Sequence, residues 1–361
     1  MDNEELGEGV ILAMVRNPLI GWQLDRDAIT TVGTGLVRPE CVLAGADGTL
    51  WAADGRGGVM RIAPDGAQQH LAPHGLPAQQ SASIGGGGAK RHLPNGFALM
   101  ADGSFVIADI GMDAVVRLDP DGTLSPLLDA IDGLPLGKVN FALADRRGRV
   151  WVSVSTRREG AAEEALTPDS RDGYILVIDE GRATIVADGL CFANEIKFDE
   201  DEAWLYVVET AARRISRFPV RDNGTLGSPE TFGPARLGPG FPDGIALDSH
   251  GNVWCAMVVS ERLIAITPEG EVLTLLDDGK PDAVAAVEAA FEAGSIAGAL
   301  IVACAGAIAP LLTSVAFGGP DLRTVYLGSL MGTTLPSFRA PVAGIAPAHW
   351  AWTARSSRIA G

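Results

Sequence analysis

Glu40, Asn95, Asn140, Asn194, Asp243 and Ser314 each introduce a short apolar run. Ten or eleven positions later an aromatic or branched residue opens a second run, at Trp51, Phe105, Trp151, Trp204, Trp254 and Val325 in turn. Turn formers such as Asp47-Gly48, Gly148 and Gly251-Asn252 lie between the two runs. Five of the six leading residues are Asn, Asp or Glu, so their side chains offer carboxylate and amide oxygens. Such oxygens are the ligands of a hard divalent cation, and calcium takes about six to eight of them at ~2.3–2.6 Å. Two carboxylates would offset the ion's charge, while amides add oxygen without adding further negative charge. No His or Cys stands at these positions, which disfavours a zinc-type ligand set. The expected cofactor is a divalent cation, calcium first, with Mn2+, Mg2+ or Zn2+ as alternatives. Asn and Asp before a strand are also ordinary turn formers. That reading suits any single position but not a recurrence at fixed distance, and Glu40 is a poor turn former.

A repeated two-run unit needs an architecture that brings its copies together. Successive leading residues lie 55, 45, 54, 49 and 71 positions apart. A four-stranded propeller blade takes about 40–45 residues, so each gap holds one blade and its loops. The chain reads as all-β, a single six-bladed β-propeller domain over residues 1–361. Equivalent positions of successive blades share one height around the axis, which places the six leading residues in a ring at one mouth of the channel. Residues 1–38 read as a lead-in, with Val10–Val15 and Gly21–Leu24 as strand material. Closing the ring by completing the last blade removes exposed strand edges. Gln68 to Lys90, containing Gly85–Gly88, reads as a surface loop, and Arg157 to Asp172 as an excursion from the third blade.

The largest departure, residues 280–312, precedes the last blade. Val284, Val287 and Phe291 share one face of a helix expected over Pro281–Ala293, with Gly294 just after. The next 19 residues, 294–312, carry no charge. Gly and Ala dominate them and a blade follows directly, so they read as a lid or buried insert rather than a membrane span.

The net charge is −17, from 28 basic and 45 acidic residues. Such a surface repels nucleic-acid phosphate and anionic lipid, so neither nucleic acid nor membrane is an expected partner. Cys41, Cys191, Cys255 and Cys304 are widely spaced in apolar runs, the pattern of buried free thiols. The start, Met-Asp-Asn-Glu-Glu, lacks the basic region of a signal peptide, and the expected location is cytoplasmic. The oligomeric state is left open.

Gly35-Leu-Val-Arg-Pro-Glu40, Leu93-Pro-Asn-Gly-Phe-Ala98, Phe192-Ala-Asn-Glu195, Phe241-Pro-Asp-Gly244 and Ala316-Phe-Gly-Gly-Pro-Asp-Leu322 occur in order along the chain. Together they resemble the blocks of the senescence marker protein (regucalcin)/gluconolactonase/luciferin-regenerating enzyme family of six-bladed propellers, over about residues 35–330. The resemblance implies a calcium-type site of Glu40, Asn194 and Asp243, with Asn140 as fourth ligand or substrate contact. It also implies lactone hydrolysis. Lys138 stands two before Asn140, where sugar-lactone relatives place an Arg that meets substrate; a solvated lysine is the ordinary alternative. Two departures bear on specificity. Asn140-Phe141-Ala142 replaces the family's Asn-Asp-Gly, and Asn194-Glu195 replaces Asn-Gly.

The leading functional expectation is a metal-dependent lactone hydrolase. The cation acts as Lewis acid, Asp243 activates water, and Asn95, Asn140 and Lys138 meet the substrate. Phe141-Ala142 and the apolar insert point to a bulkier, less hydrophilic lactone than gluconolactone. The rivals are another ester or phosphoester hydrolysis, a carbon–carbon bond-forming or isomerase step in the same mouth, and a non-catalytic ligand-binding propeller.

Overall fold

The computed structural model describes residues 16–74 and 90–352. Six four-stranded antiparallel sheets are arranged as blades, with one two-stranded hairpin, Ala130–Ile131 with Leu134–Pro135, beside them. The first strands of neighbouring blades touch around the axis, save that blade 1 meets the first strand of blade 2 chiefly through its second strand, Leu50–Ala53, so the first strands line the central channel. They run Val42–Ala44, Pro94–Leu99, Val139–Ala144, Ala193–Phe198, Phe241–Leu247 and Leu312–Gly318. The N-terminal strand Thr30–Val32 pairs antiparallel with Leu335–Arg339 as the outer strand of blade 6, Thr30 opposite Ser337. Ring closure by the lead-in is therefore as expected.

The recurring aromatic has a structural cause. In blade 3 Trp151 Nε1 donates to Asp145 Oδ2 at 3.0 Å, and in blade 5 Trp254 Nε1 donates to Asp248 Oδ2 at 2.8 Å. The same Asp closes the turn between the first two strands by accepting backbone amides, from Arg147 and Arg149 or from His250 and Asn252. One carboxylate thus satisfies both a tight turn and a fully buried indole N–H, which burial would otherwise leave unpaired.

Two expected elements differ. Gln68–Leu71 is the fourth strand of blade 1, Met60 opposite His70, because the Pro64-Asp65-Gly66 turn returns the chain along its neighbour. Trp22–Leu24 is irregular rather than strand. It is held by side-chain packing instead, Trp22 lying 6.1 Å from Trp254 and 6.3 Å from Phe338. Val10–Val15 and Gly85–Gly88 lie outside the described residues. All four cysteines are free and buried. Among the described residues no helix is long and apolar enough to cross a membrane.

The insertion forms two helices, α1 (Pro281–Glu292) and α2 (Gly298–Ala303). Helix α1 has Pro at its first turn and ends with Gly294 N bonding Phe291 O and Ser295 N bonding Ala290 O. Its buried face is Val284, Val287 and Phe291, as the periodicity predicted. In an antiparallel four-stranded blade, the starts of first strands and the loops after second strands share one end. Val287, Phe291, Ile296 and Ile301 pack into one cluster with residues from that end: Leu93, Ile110, Ala165, Phe192, Phe241 and Leu311. The insertion is therefore a roof over one mouth of the channel.

Candidate functional site

The leading residues do converge on the mouth beneath that roof, and the backbone explains how. In five blades the first strand carries a register shift at this height: Pro94/Phe97, Val139/Phe141, Ala193/Ile196, Pro242/Ile245 and Leu312/Ser314. A β-bulge re-aims the extra residue, here into the channel. The bulged residues include Asn95, Asn140, Asn194 and Asp243, and Glu40 stands just before the first strand of blade 1. In blade 6 the extra residue is Thr313, one position before Ser314. Its hydroxyl donates to Glu40 O at 3.0 Å. Spacing to Val325 pointed to Ser314 because a bulge adds a residue that spacing alone does not register.

The ring is stitched across blade boundaries. Arg38 Nη2 donates to Asn95 Oδ1 at 2.7 Å, and Asn95 Nδ2 donates to Asn140 O at 3.0 Å. Ser155 Oγ donates to Ala193 O, and Thr210 Oγ1, which accepts from Asn194 Nδ2, donates to Pro242 O. Glu40 is 7 % exposed, Asn140 and Asn194 5 %, and Asp243 8 %, so the ring is a nearly dry site. Yet Glu40 Oε2 and Asn140 Oδ1 are buried with no hydrogen-bond partner. A buried lone pair left unsatisfied is costly, and native structures resolve it with water or an ion. The donor chemistry of Glu40, Asn140, Asn194 and Asp243, two carboxylates and two amides, fits a hard divalent cation. Among the described residues no group of three His, Cys, Asp and Glu stands at metal-binding spacing, so the set on offer combines two carboxylates with amides.

The electrostatics follow from burial. The Glu40 carboxyl is pushed up to about 7 by burial, with Arg38 pulling it down and Glu195 pushing it further. Burial raises Asp243 well above the usual carboxylate range, and Glu40 and Glu195 add to the shift. Burial thus disfavours the charged form of both residues, a cost that a bound cation would offset.

Lys138 is 4 % exposed, with Nζ 2.7 Å from Asp113 Oδ1. It is a buried ion-pair partner rather than a solvated lysine. Asn95 has both ends of its amide engaged, so it braces Arg38 and the Asn140 backbone. Phe141 does not face the roof; its ring lies below the ring of oxygens, 4.3 Å from Lys197 Nζ. It also stands where a Cβ on Gly96 would be, 2.1 Å away. Phe192 and Phe241 instead pack against the roof in one buried cluster.

One site residue, Arg38, escaped the sequence reading, and a second, Glu195, figured there only as a departure from the family's Asn-Gly. Arg38 sits two before Glu40, as Lys138 sits two before Asn140, and that shared offset was the available signal. Glu195 turns inward within the blade 4 bulge, and Ile245 N donates to its Oε2 at 3.2 Å. The other end of the channel holds a cavity of about 120 Å³ lined by Val42, Phe97, Phe141, Lys197, Phe317 and His349. The tail, which carried no sequence signal, closes that end. His349 Nε2 lies 2.8 Å from Ala44 O and Trp350 Nε1 donates to the same oxygen at 2.6 Å.

The chain matches the SMP-30/Gluconolactonase/LRE-like region over residues 39–287. It is 28% identical over 238 residues to a 6-deoxy-6-sulfogluconolactonase of Pseudomonas putida, covering 64% of this chain and 67% of that one. It is 25% identical to a pentonolactonase of Haloferax volcanii, covering 54% of each. The match thus spans between half and two thirds of the length of these curated relatives. Among solved structures, a gluconolactonase of Xanthomonas campestris superimposes with a TM-score of 0.61 at 19% identity, over 87% of this chain and 89% of that one. A calcium-binding protein, regucalcin, of Agrobacterium tumefaciens gives 0.59 at 18% identity, over 88% and 94%. At these identities the structural likeness carries the fold.

Proposed function

The chain belongs to the SMP-30/gluconolactonase/LRE-like family, and from that premise we propose that it is a divalent-metal-dependent hydrolase that opens a lactone ring. The observation that carries this reading is the pair of partnerless buried oxygens, Glu40 Oε2 and Asn140 Oδ1, in a ring that also holds Asn194 and Asp243. Relatives named for lactonase activity, at 28% and 25% identity, supply the reaction class.

Glu40, Asn140, Asn194 and Asp243 would hold the cation, with calcium the best match to all-oxygen ligands. When bound, it supplies a Lewis acid that polarises the ester carbonyl and stabilises the developing oxyanion. Asp243 would take the proton from the water as its oxygen bonds the carbonyl carbon, and return it to the ring oxygen as the acyl C–O bond breaks. Asn140 and Lys138 orient the lactone, Lys138 from its fixed place against Asp113. Asn95 holds Arg38 and the Asn140 backbone in register. The roof, packed on Phe192 and Phe241 through Phe291, shields the mouth from bulk water and makes its surroundings apolar, so the preferred lactone is bulkier and less hydrophilic than gluconolactone.

The test is a hydrolysis screen over sugar, aliphatic and aryl lactones, with and without chelator. Chelator-sensitive turnover, fastest on an apolar lactone, is expected. Turnover of gluconolactone equal to or above every apolar lactone would refute the substrate preference, and chelator-insensitive hydrolysis would refute the metal.

A further inference from the structure

Directly beneath the ring lies a second charged pair that the hydrolase described above does not use. In blades 2 and 5 the ring residue is followed by Gly96 and Gly244, whereas in blade 4 it is followed by Glu195. Glu195 is 3 % exposed, and its carboxylate pairs with Lys197 Nζ on one side and accepts from Ile245 N on the other. The neighbouring blade makes room for it. A Cβ added to Gly244 would lie 2.5 Å from Glu195 Oε2 and 2.2 Å from Thr313 O, so any larger residue there displaces the carboxylate or the backbone. Lys197 is fixed in turn over the Phe141 ring at 4.3 Å, between the oxygen ring and the lower cavity. Gly244 and Ile245, which the Glu195 carboxylate touches, directly follow Asp243, so that carboxylate lies buried beside the ring.

We propose that Glu195 is a charged neighbour of the cation site rather than one of its ligands, and that Lys197 is its built-in counter-charge, the two together setting how tightly the ring holds a divalent ion. This rests on the reading of the ring as a cation site. The formal charges close on that role. Counted formally, three carboxylates, Glu40, Asp243 and Glu195, stand against two basic side chains, Arg38 on Asn95 and Lys197 on Glu195, leaving 3 − 2 = one net negative charge. Neutralising Glu195 brings the site to zero, and neutralising Lys197 brings it to two negative charges. A pair that served packing alone would respond to either loss in the same direction. A pair that sets affinity responds in opposite directions.

The experiment measures calcium binding by titration calorimetry, with terbium luminescence as a second probe and melting temperature with and without calcium as a fold control. E195Q should bind calcium at least about tenfold more weakly than the parent. K197M should bind at least about tenfold more tightly, the scale of one unit charge a few ångströms from a divalent ion in a partly screened interior. The double variant E195Q/K197M, at the parent's net charge, should return to within a few fold of it. K197M should also melt lower without calcium and gain more from it, since ligand binding stabilises in proportion to occupancy. If E195Q does not fold, Glu195→Gly, the residue of blades 2 and 5, carries the same comparison. Failure of K197M to bind more tightly, or of the Glu195 variant to bind more weakly, overturns this inference while leaving the lactonase reading intact. A parent chain that binds no divalent ion overturns both.

Discussion

His349 supplies a pH dependence that can be worked from the structure. The imidazole is 6 % exposed at the channel end opposite the ring, with Nε2 on Ala44 O and its face against the edge of Trp51 at 6.5 Å. Burial lowers it from 6.5 to about 4; the Ala44 carbonyl raises it and Lys197 lowers it further. The unfolded chain therefore takes up this proton near pH 6.5 while the folded chain refuses it until about 4. Stability must fall on acidification through that window. The full shift is on the order of 3 kcal/mol at 1.36 kcal/mol per unit, and about 2 kcal/mol of it is reached by pH 5. Glu261 acts in the opposite sense. Burial pushes it up to about 7, so its contribution is present below about pH 4.5 and lost as pH rises through 7. The two slopes overlap, and comparison with His349→Gln isolates one of them. Urea denaturation of both proteins at pH 7 and pH 5 should show the parent losing about 2 kcal/mol more than the variant on acidification. Equal losses would mean that His349 titrates normally and that the tail does not seal the channel.

Two further outcomes test the mouth. Asp243→Asn should lower turnover by about 10²–10⁴-fold even at saturating calcium, the typical share of general acid–base catalysis, while Asn194→Asp keeps most activity; full rescue of Asp243→Asn by excess calcium would make Asp243 a ligand only. Phe291 lies 5.1 Å from Phe241 with the Arg213 guanidinium 4.6 Å over its ring, so Phe291→Ala should loosen the roof at a cost of about 3–5 kcal/mol. Amide exchange in residues 281–311 should then speed up and the ratio of kcat/KM for apolar lactones over gluconolactone should fall; an unchanged ratio would show that the roof does not choose substrate.

The blades and five of the six ring positions were legible because a repeat writes the same constraint many times. An acidic or amide residue, a turn and an aromatic at ten or eleven positions recur whatever the loops between them do. Features made by a single departure from the repeat were not legible. Glu195 reads only as a departure from the family's Asn-Gly until the bulge between Ala193 and Ile196 turns it into the channel. Phe141 reads as an apolar replacement that changes the substrate preference, but its side chain drops below the ring against Gly96. The roof was half legible: the helix and its apolar face follow from period and caps, whereas its place over the mouth depends on contacts with loops more than 100 residues away, such as Leu93 and Ala165. Arg38 was hidden by its context in the opening motif, where only Glu40 drew notice.

A crystal structure grown with calcium tests the account at its centre. It should show one ion at the mouth, bonded to side-chain oxygens of Glu40, Asn194 and Asp243, with Asn140 turned toward it at 2.3–2.6 Å or through water, the calcium–oxygen range of about that width. A ring filled by water alone, with those side chains diverging, would contradict the proposed function.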